Sequence, residues 1–447
     1  MCGEESGEQM DWYVKASALV LLFVSIRCAN RSHEAENDPC VVALAPQGGE
    51  AKEDVAIAEL QEKARGSHQR LANLERLGWT FVAKARASYD PGFYKLAEQT
   101  ALCLESKKSD RAAGHAALLL RGHVLHNLHR FAEAEVLARK LVAERGLSFD
   151  YGLLGDVLLE QGALDEAIAA YQQMMDQKPS PQAYVRSAYV RWLKGDLSGA
   201  IEVMRLAAGA SGAADAESAA WAQARLAMFE LQVGDLPLAS RVVADALALR
   251  PGYAPALLAR GRILLAEGKT AEAISSLREA ARLNPLPEYH WLLLEALEES
   301  EAELEHQEEA RAVAAALAER GALDDPRTFA LYLATTGKDP ARSLALAEEE
   351  LKARADVFTL DALAWALHAS GRNGEARVLS SRALAEGTQD ARLFLHAGVI
   401  AAAVGEKEVA APLLERAAAI EQMLLPSERK RLHLARITLN DTERSRT

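Results

Sequence analysis

The chain has 447 residues, and its 51 lysines and arginines against 64 aspartates and glutamates give a formal net charge of −13. We expect no nucleic-acid binding, because non-specific affinity for phosphate requires a basic surface. Half of the residues are hydrophobic but only 6% are aromatic, which predicts a core of alanine, leucine and valine between closely packed helices. Four cysteines are too few for a disulfide scaffold of this size, so we expect a fold that does not depend on cross-links.

Segment 1–28 contains an apolar run of eleven residues, 16–26, between Lys15 and Arg27. This run is too short to span a bilayer core of about 30 Å, but it has the size of a signal-peptide core. We therefore predict a signal or anchor segment, especially if translation begins at Met10, and with it an exported or envelope-associated bacterial protein. The alternative is a misassigned start or a plain buried helix, which would make the protein cytoplasmic.

Cys28 directly follows the apolar run and resembles the lipid-modified cysteine of bacterial lipoproteins. Arg27 argues against lipidation, because that family requires small residues before its cysteine. A membrane is therefore expected as a partner only through this segment, if it is not cleaved or if Cys28 is acylated. Residues 29–52 contain two prolines and two glycines without a helical period, which predicts a linker.

A period near 34 residues runs through the rest of the chain. The dipeptide Glu-Ala recurs along it, beginning at Glu133, Glu166, Glu272, Glu309 and Glu375. Glycines recur in step, 33 or 34 residues apart in three pairs: Gly162 and Gly195, Gly234 and Gly268, Gly371 and Gly405. A repeat of this length indicates units that stack in series as a solenoid.

Residues 151–179 show the organisation of one period. Apolar side chains fall at three- and four-residue steps in both halves: Leu154, Leu158, Leu164, Ile168, Tyr171 and Met175. This spacing predicts two helices with one apolar stripe each. Gly162 is placed to end the first helix, where a positive φ favours glycine, and Pro179 to stop the second.

This pattern resembles the tetratricopeptide repeat family. The family's order of large residue, Leu-Gly, large residue, alanine, aromatic residue and proline is matched by Tyr151, Leu154-Gly155, Leu158, Ala167, Tyr171 and Pro179. Another unit supplies Leu257, Gly261, Leu264, Gly268, Ala273, Leu277, Ala280 and Pro285. The resemblance implies an all-α fold, a right-handed superhelical α-solenoid of about ten helix hairpins between Arg70 and Glu421.

The repeat divides the chain into predicted regions. Residues 53–110 are predicted to form N-terminal helices with a degenerate first repeat, and residues 111–423 the solenoid. Ser427 and Glu428, behind Pro426, predict the start of a capping helix over 427–439. Residues 424–447 therefore hold this helix and a disordered tail from residue 441.

The histidine cluster is the main candidate for chemistry. It consists of His115, His123, His126 and His129. On one helix His115 and His126 are about 16 Å apart, so at most the last three could share an ion. Surface or turn histidines are the better interpretation. We expect no catalytic residue, no metal and no cofactor, although an enzyme subunit with its site in this segment is an alternative.

The resemblance implies a binding groove lined by the first helix of each hairpin. The candidates for this face are Arg186, Tyr189, Trp192, Arg225, Met228, Arg262, Trp365 and His368. Arginine and tryptophan are typical interface anchors; an alternative is that some of these aromatic residues pack between hairpins. The family's chaperone-binding members carry a carboxylate clamp, and the corresponding positions here are Gly152, Asp156, Arg186, Trp221 and Arg225, which retain only a fragment of it.

The sequence therefore predicts a non-catalytic scaffold or adaptor that binds a protein or peptide segment in the groove of a solenoid. Two alternatives remain open at this point. One is an envelope-associated lipoprotein that assembles complexes, and the other, less favoured, is a subunit of an enzyme complex.

Overall fold

The computed structural model describes residues 38–66, 69–106, 110–210, 216–300 and 304–444. In these ranges the regular elements are 23 α-helices and one short 3-10 turn, without a strand. None of the described helices has the length and apolar composition needed to cross a membrane. The predicted segment 1–28, including Cys28, lies outside the described residues.

The chain forms two compact units, Met1–Leu128 and His129–Thr447. The predicted boundaries of the N-terminal helices at 53–110 and of the solenoid at 111–423 stay predictions. In the structure the first unit also includes the helix that follows residue 110.

The first unit contains five helices. They are α1 Pro39–Leu44, α2 Lys52–Arg65, α3 Arg70–Ser88, α4 Gly92–Glu105 and α5 Arg111–Asn127. Their common core is made of large apolar side chains, among them Ile57, Leu74, Leu77, Phe81, Leu104 and Leu120. The helices are amphipathic. Their apolar stripes meet in this one cluster.

Helix α1 lies inside the segment predicted to be a linker. Its six residues begin with Pro39, and the Asp38 side chain caps it by accepting a 2.8 Å hydrogen bond from the backbone N–H of Cys40. Proline at the first helical position and aspartate before it favour a helix start. The helix is too short to show a period, which is why the sequence pattern missed it.

A disulfide joins Cys40 of α1 to Cys103 of α4 across 63 residues of sequence. This unit therefore contains a cross-link, and the expectation that the fold does not depend on one stays a prediction. Helix α1 buries only Ala43 fully, so apolar burial by itself contributes little to holding it. A count of cysteines over the whole chain could not show this local pairing.

The second unit begins with α6 Phe131–Glu144 and continues as eight helix hairpins. The hairpins are α7 Ser148–Glu160 with α8 Leu164–Gln177, α9 Pro181–Leu193 with α10 Leu197–Ala210, α11 Ala216–Val233 with α12 Leu236–Leu249, α13 Ala254–Ala266 with α14 Thr270–Leu283, α15 Pro287–Glu299 with α16 Leu304–Asp324, α17 Pro326–Thr336 with α18 Pro340–Ala353, α19 Val357–Ala369 with α20 Asn373–Ala383, and α21 Ala391–Ala403 with α22 Lys407–Ala418. Each hairpin packs on the next. The predicted all-α solenoid is confirmed.

Glycine on the first helix of a hairpin lets the second helix approach closely. A Cβ atom added to Gly155 would lie 2.3 Å from the ring of Tyr171, and one added to Gly261 would lie 2.4 Å from the side chain of Leu277. Each glycine therefore forms the floor of a pocket that the large residue of the partner helix fills. The recurring spacing of these residues in the two units reflects a packing requirement of the two helices.

A 3-10 turn, Glu421–Met423, leads to the last helix, α23 Pro426–Arg444. The predicted capping helix is present, but it continues five residues beyond the expected end at 439, so the predicted disordered tail is helical through Arg444. Leu439 is buried, and this packing supports the last turns of the helix. Residues 445–447 lie outside the described residues.

We predict that the Cys40–Cys103 disulfide stabilises the first unit by about 2–4 kcal/mol, because it restricts the unfolded chain. Thermal unfolding of the full chain, followed by circular dichroism with and without reductant, measures this. The matched control is the variant with both Cys40→Ala and Cys103→Ala, whose unfolding should not respond to reductant. Equal melting of the parent chain under both conditions would show that the bond contributes nothing.

Candidate functional site

The second unit folds back on itself along a line of contacts that we call the seam. The seam joins the turns of hairpins α7–α8, α9–α10 and α11–α12 to the loops before α19, α21 and α23. Three hydrogen bonds repeat along it: Ala355 N donates to Glu160 O at 2.9 Å, Thr388 Oγ1 to Leu193 O at 2.6 Å, and Gln422 Nε2 to Gln232 O at 2.9 Å. Each acceptor is a carbonyl of the last helical turn, which has no partner within its own helix.

Glycines allow the chain to come this close at the seam. A Cβ atom on Gly162 would lie 2.4 Å from Ala355 O, and one on Gly195 would lie 2.6 Å from Gly387 O. Gly268 occupies the same turn position in a later hairpin, but no atom lies within 4 Å of its added Cβ. All three turn glycines have a positive φ. Only those at the seam are also required by a tertiary contact.

Trp192, a predicted groove residue, is part of the seam. It is only 6% exposed, its ring stacks on Phe358 at 5.8 Å between centroids, and its Nε1–H donates to Gln232 at 2.9 Å. The expectation that Trp192 lies on an exposed face is wrong. The face of its helix is already covered by the loop before α19 and by α19 itself.

Two of the predicted arginines already have intramolecular partners. Arg186 forms hydrogen bonds of 2.7 and 2.5 Å with the carboxylate of Asp156, which also accepts from Tyr171. Burial disfavours its charge, but Asp156 outweighs burial and raises the pKa of Arg186. Arg262 donates to the backbone carbonyl of Met423 at 2.6 Å, and burial lowers its pKa. Of the clamp positions, Asp156 and Arg186 therefore neutralise each other.

Trp365 and His368 lie on α19. Trp365 is 1% exposed, stacks on the ring of His396 at 4.0 Å between centroids and donates to Thr335 at 3.1 Å. The expectation of an exposed Trp365 is therefore also wrong, since this ring packs between hairpins. His368 is half-buried and forms a 2.7 Å hydrogen bond with Asn373. Burial lowers the pKa of His368.

Arg225 differs from the other predicted cations. Its guanidinium carbon lies 5.9 Å from the ring centroid of Tyr189, 6.0 Å from that of Trp221 and 5.9 Å from that of Phe229. We call this group the Arg225 box. Arg225 is half-buried, and no ion pair joins it to a carboxylate within the part of the chain that the structure describes. Met228, half-buried, follows on the same helix.

Tyr189 contributes a neutral aromatic side chain to the Arg225 box. Its ring stacks on Trp192 at 5.7 Å, and burial raises the pKa of Tyr189 to about 12. The phenol is therefore neutral at physiological pH and keeps its O–H as a donor. The box thus presents one positive charge, aromatic surfaces and a neutral hydroxyl.

Two buried carboxylates hold the start of α23. Sequence reasoning placed Glu428 at this helix start, but it did not identify Glu295 or the tertiary partners of either carboxylate. Glu295 of α15 accepts from the backbone N–H and the hydroxyl of Ser427 at 2.9 and 2.6 Å. Glu428 pairs with Arg392 at 2.5 Å and accepts from Leu425 N at 2.9 Å. Ser427, which the sequence predicts to be a helix cap, therefore donates hydrogen bonds to Glu295 of another hairpin.

These two carboxylates have opposite pKa shifts. Burial raises the pKa of Glu295. Burial also opposes the ionisation of Glu428, but the Arg392 guanidinium outweighs it and lowers the pKa of Glu428. Glu295 is therefore the group of this pair whose ionisation the folded state disfavours.

The histidine segment shows no metal site. His123 contacts Arg86 at 2.9 Å and the ring of Trp79 at 5.3 Å between centroids, and His129 stacks on Phe131 at 5.6 Å. Among the described residues, no three histidine, cysteine, aspartate or glutamate side chains are grouped so that they could hold a metal ion.

The fold and its repeated hairpins define an α-solenoid repeat protein. A sequence profile of the tetratricopeptide repeat matches residues 153–219 and 224–286, which cover most of the hairpins from α7 to α14. Residues 153–286 therefore contain tetratricopeptide repeats, and the other hairpins share their helix-hairpin architecture. Such repeats are protein-interaction modules, so the fold supports a scaffold role in general terms. Among curated proteins, none matches the sequence.

Several solved structures are similar in fold. The human IFIT1 dimer with PPP-AAAA is 12% identical over 83% of this chain and 95% of that chain, with a TM-score of 0.44. Yeast Tom70 is 13% identical over 89% and 98%, with a TM-score of 0.37. YrrB, a tetratricopeptide repeat protein with an unusual peptide-binding site, is 16% identical over 41% and 91%, with a TM-score of 0.29.

We predict that Gly195→Ala destabilises the chain more than Gly268→Ala. Both glycines have a positive φ, so either alanine costs about 1–2 kcal/mol. Only the methyl group at 195 also meets a backbone carbonyl, which adds about 1–3 kcal/mol. Urea unfolding of the two variants measures the difference, and equal losses would show that the seam does not form in solution.

We predict that Glu295→Gln becomes more stable relative to the parent as pH rises. Because burial raises the pKa of Glu295 above its unfolded value, the parent is favoured at low pH and loses stability as pH rises through the folded pKa. Glutamine keeps an acceptor for Ser427 and does not ionise. Denaturant unfolding at about pH 4 and about pH 8 measures the change.

The control is Glu298→Gln, which removes a carboxylate from an exposed position on the same helix. It should leave the pH dependence of unfolding close to that of the parent. If the two glutamine variants follow the same curve, Glu295 is not buried as the structure places it.

Proposed function

We propose that this chain is a non-catalytic scaffold that binds a protein or peptide segment on the surface formed by the first helices of its hairpins. The Arg225 box is the anchor of this surface. The observation that carries the proposal is the unpaired state of Arg225 within the described residues. A half-buried guanidinium between aromatic rings is suited to a planar carboxylate from a partner.

Comparison with other arginines on these helices supports the choice of Arg225. Arg186 pairs with Asp156, Arg327 donates to Asp356 at 2.9 Å, and Arg392 pairs with Glu428. These pairs hold the solenoid together internally. Arg225 makes only ring contacts among those described, so its charge is available to a ligand.

We also propose that the protein is exported or attached to the envelope of a bacterium. The Cys40–Cys103 disulfide supports this location, because disulfides persist mainly in oxidising compartments. In the envelope-attached case, an acylated Cys28 holds the scaffold at a membrane, and the scaffold assembles complexes there.

Cross-linking in the native cell tests the binding surface. A photoreactive benzoylphenylalanine in place of Met228 should form an adduct with one protein, and mass spectrometry of the adduct should identify a segment with an acidic residue. Adding Arg225→Gln should reduce the adduct about tenfold, the change expected for loss of one interface anchor.

The matched control is Arg241→Gln, on the second helix of the same hairpin and exposed. It removes an equal charge and should leave the adduct unchanged. Equal adduct yields from the parent and Arg225→Gln would contradict the assignment of the Arg225 box.

A further inference from the structure

Helix α23 occupies the place of a first helix but has no second helix among the described residues. Each preceding first helix from α7 to α21 packs against the second helix of its own hairpin. On α23 two apolar side chains of one face are exposed instead, Leu434 at 65% and Ile437 at 58%. Second helices cover such a face elsewhere in the solenoid.

Beside this face lies a groove of about 310 Å³ between the end of α21, the start of α22 and α23. We call it the α23 groove. Val399, Ala402, Ala435 and Leu439 form its apolar part, and Leu434 lies at its wall. The groove can therefore receive one or two apolar side chains from a ligand that also covers the exposed face.

The charged groups of the α23 groove are both cationic. Lys407 Nζ is shielded from solvent and has no hydrogen-bond partner within the described chain, whereas the Arg431 guanidinium donates to Thr335 O at 2.8 Å. Among the residues whose side chains the structure describes, no aspartate or glutamate lines the groove. A buried ammonium without a partner costs free energy, and a carboxylate placed beside it would relieve that cost.

We propose that the α23 groove binds an acidic amphipathic helix of a partner protein. The apolar stripe of this helix covers Leu434 and Ile437, and one of its carboxylates pairs with Lys407. The partner helix thereby packs on α23 as second helices pack on first helices in the other hairpins. This site is separate from the Arg225 box and does not depend on it.

Charge distinguishes this occupant from two others. A second copy of the chain, docked by the same face, would bring Lys407 and Arg431 close to the same residues of the other copy. The apolar run at 16–26 of this chain contains no acidic residue, so it would leave Lys407 without a partner. An acidic helix satisfies both the apolar face and the ammonium.

A pair of synthetic peptides tests the proposal with the full chain. Both are helices of about 18 residues with the same leucine stripe; one has glutamates beside the stripe and the other has glutamines. Fluorescence anisotropy should show about tenfold tighter binding of the glutamate peptide. Lys407→Met should abolish this preference, and Leu434→Glu should weaken the binding of both peptides.

Three outcomes would overturn the proposal. The first is equal binding of the two peptides, or an unchanged preference in Lys407→Met. The second is a dimer in sedimentation equilibrium that Leu434→Glu converts to a monomer, which would assign the groove to a second copy. The third is binding that appears only after Leu21, Leu22 and Phe23 are changed to serine, which would assign it to the chain's own segment.

Arg241→Gln serves as the matched control, because it removes an exposed cation that belongs to neither the α23 groove nor the Arg225 box. It should bind both peptides like the parent. The Arg225 box is a different site. Failure of the peptide experiment would therefore leave the proposed function untouched, and loss of the cross-link at Met228 would leave this inference untouched.

Discussion

The seam is the contact on which the form of the second unit depends. Hairpins that only stack in series would contact their immediate neighbours, whereas here the turns of three hairpins also contact loops about 190 residues later, as in the hydrogen bond from Thr388 to Leu193. The contacts use groups that every helix end leaves unpaired. A lateral contact of this kind couples distant repeats, so this solenoid is not governed by nearest neighbours alone.

The seam also decides which side chains can meet a ligand. Trp192 packs into it, and Arg262 binds the backbone of the segment before α23. Arg225 lies between aromatic rings without a carboxylate partner in the described chain. The surface that we propose for a partner is therefore smaller than a groove lined by all the first helices, since much of that lining already serves the fold.

The two ends of the described chain are reinforced in different ways. At the beginning, α1 is too short to be held by apolar burial and is joined covalently through Cys40 and Cys103. At the end, α23 is fixed by hydrogen bonds to Glu295 and by the pair of Glu428 with Arg392. Buried ionic contacts of this kind contribute geometry more than net stability. They fix the position of α23, whose outer face is not covered by a second helix within the described residues.

The period of about 34 residues, the apolar stripes and the turn glycines are local features, and they were sufficient to predict the hairpins, their order and the family. They also led to Arg225 and Tyr189, because residues at equivalent positions of successive first helices share a face. They could not show that α1 is helical, since six residues contain no readable period. They could not show that Gly195 is in close tertiary contact and Gly268 is not, because the two glycines have the same local conformation.

The sequence by itself thus determined the repeating unit, because helix periodicity and turn chemistry act over a few residues. The tertiary structure alone decided which repeats meet across the seam, which cations find carboxylates, and which cysteines pair. Those contacts join residues from about 30 to about 195 positions apart, and a local pattern carries no information on pairing at that distance. Trp365 shows the result: its position in the repeat marked a surface residue, but the neighbouring hairpin covers its ring.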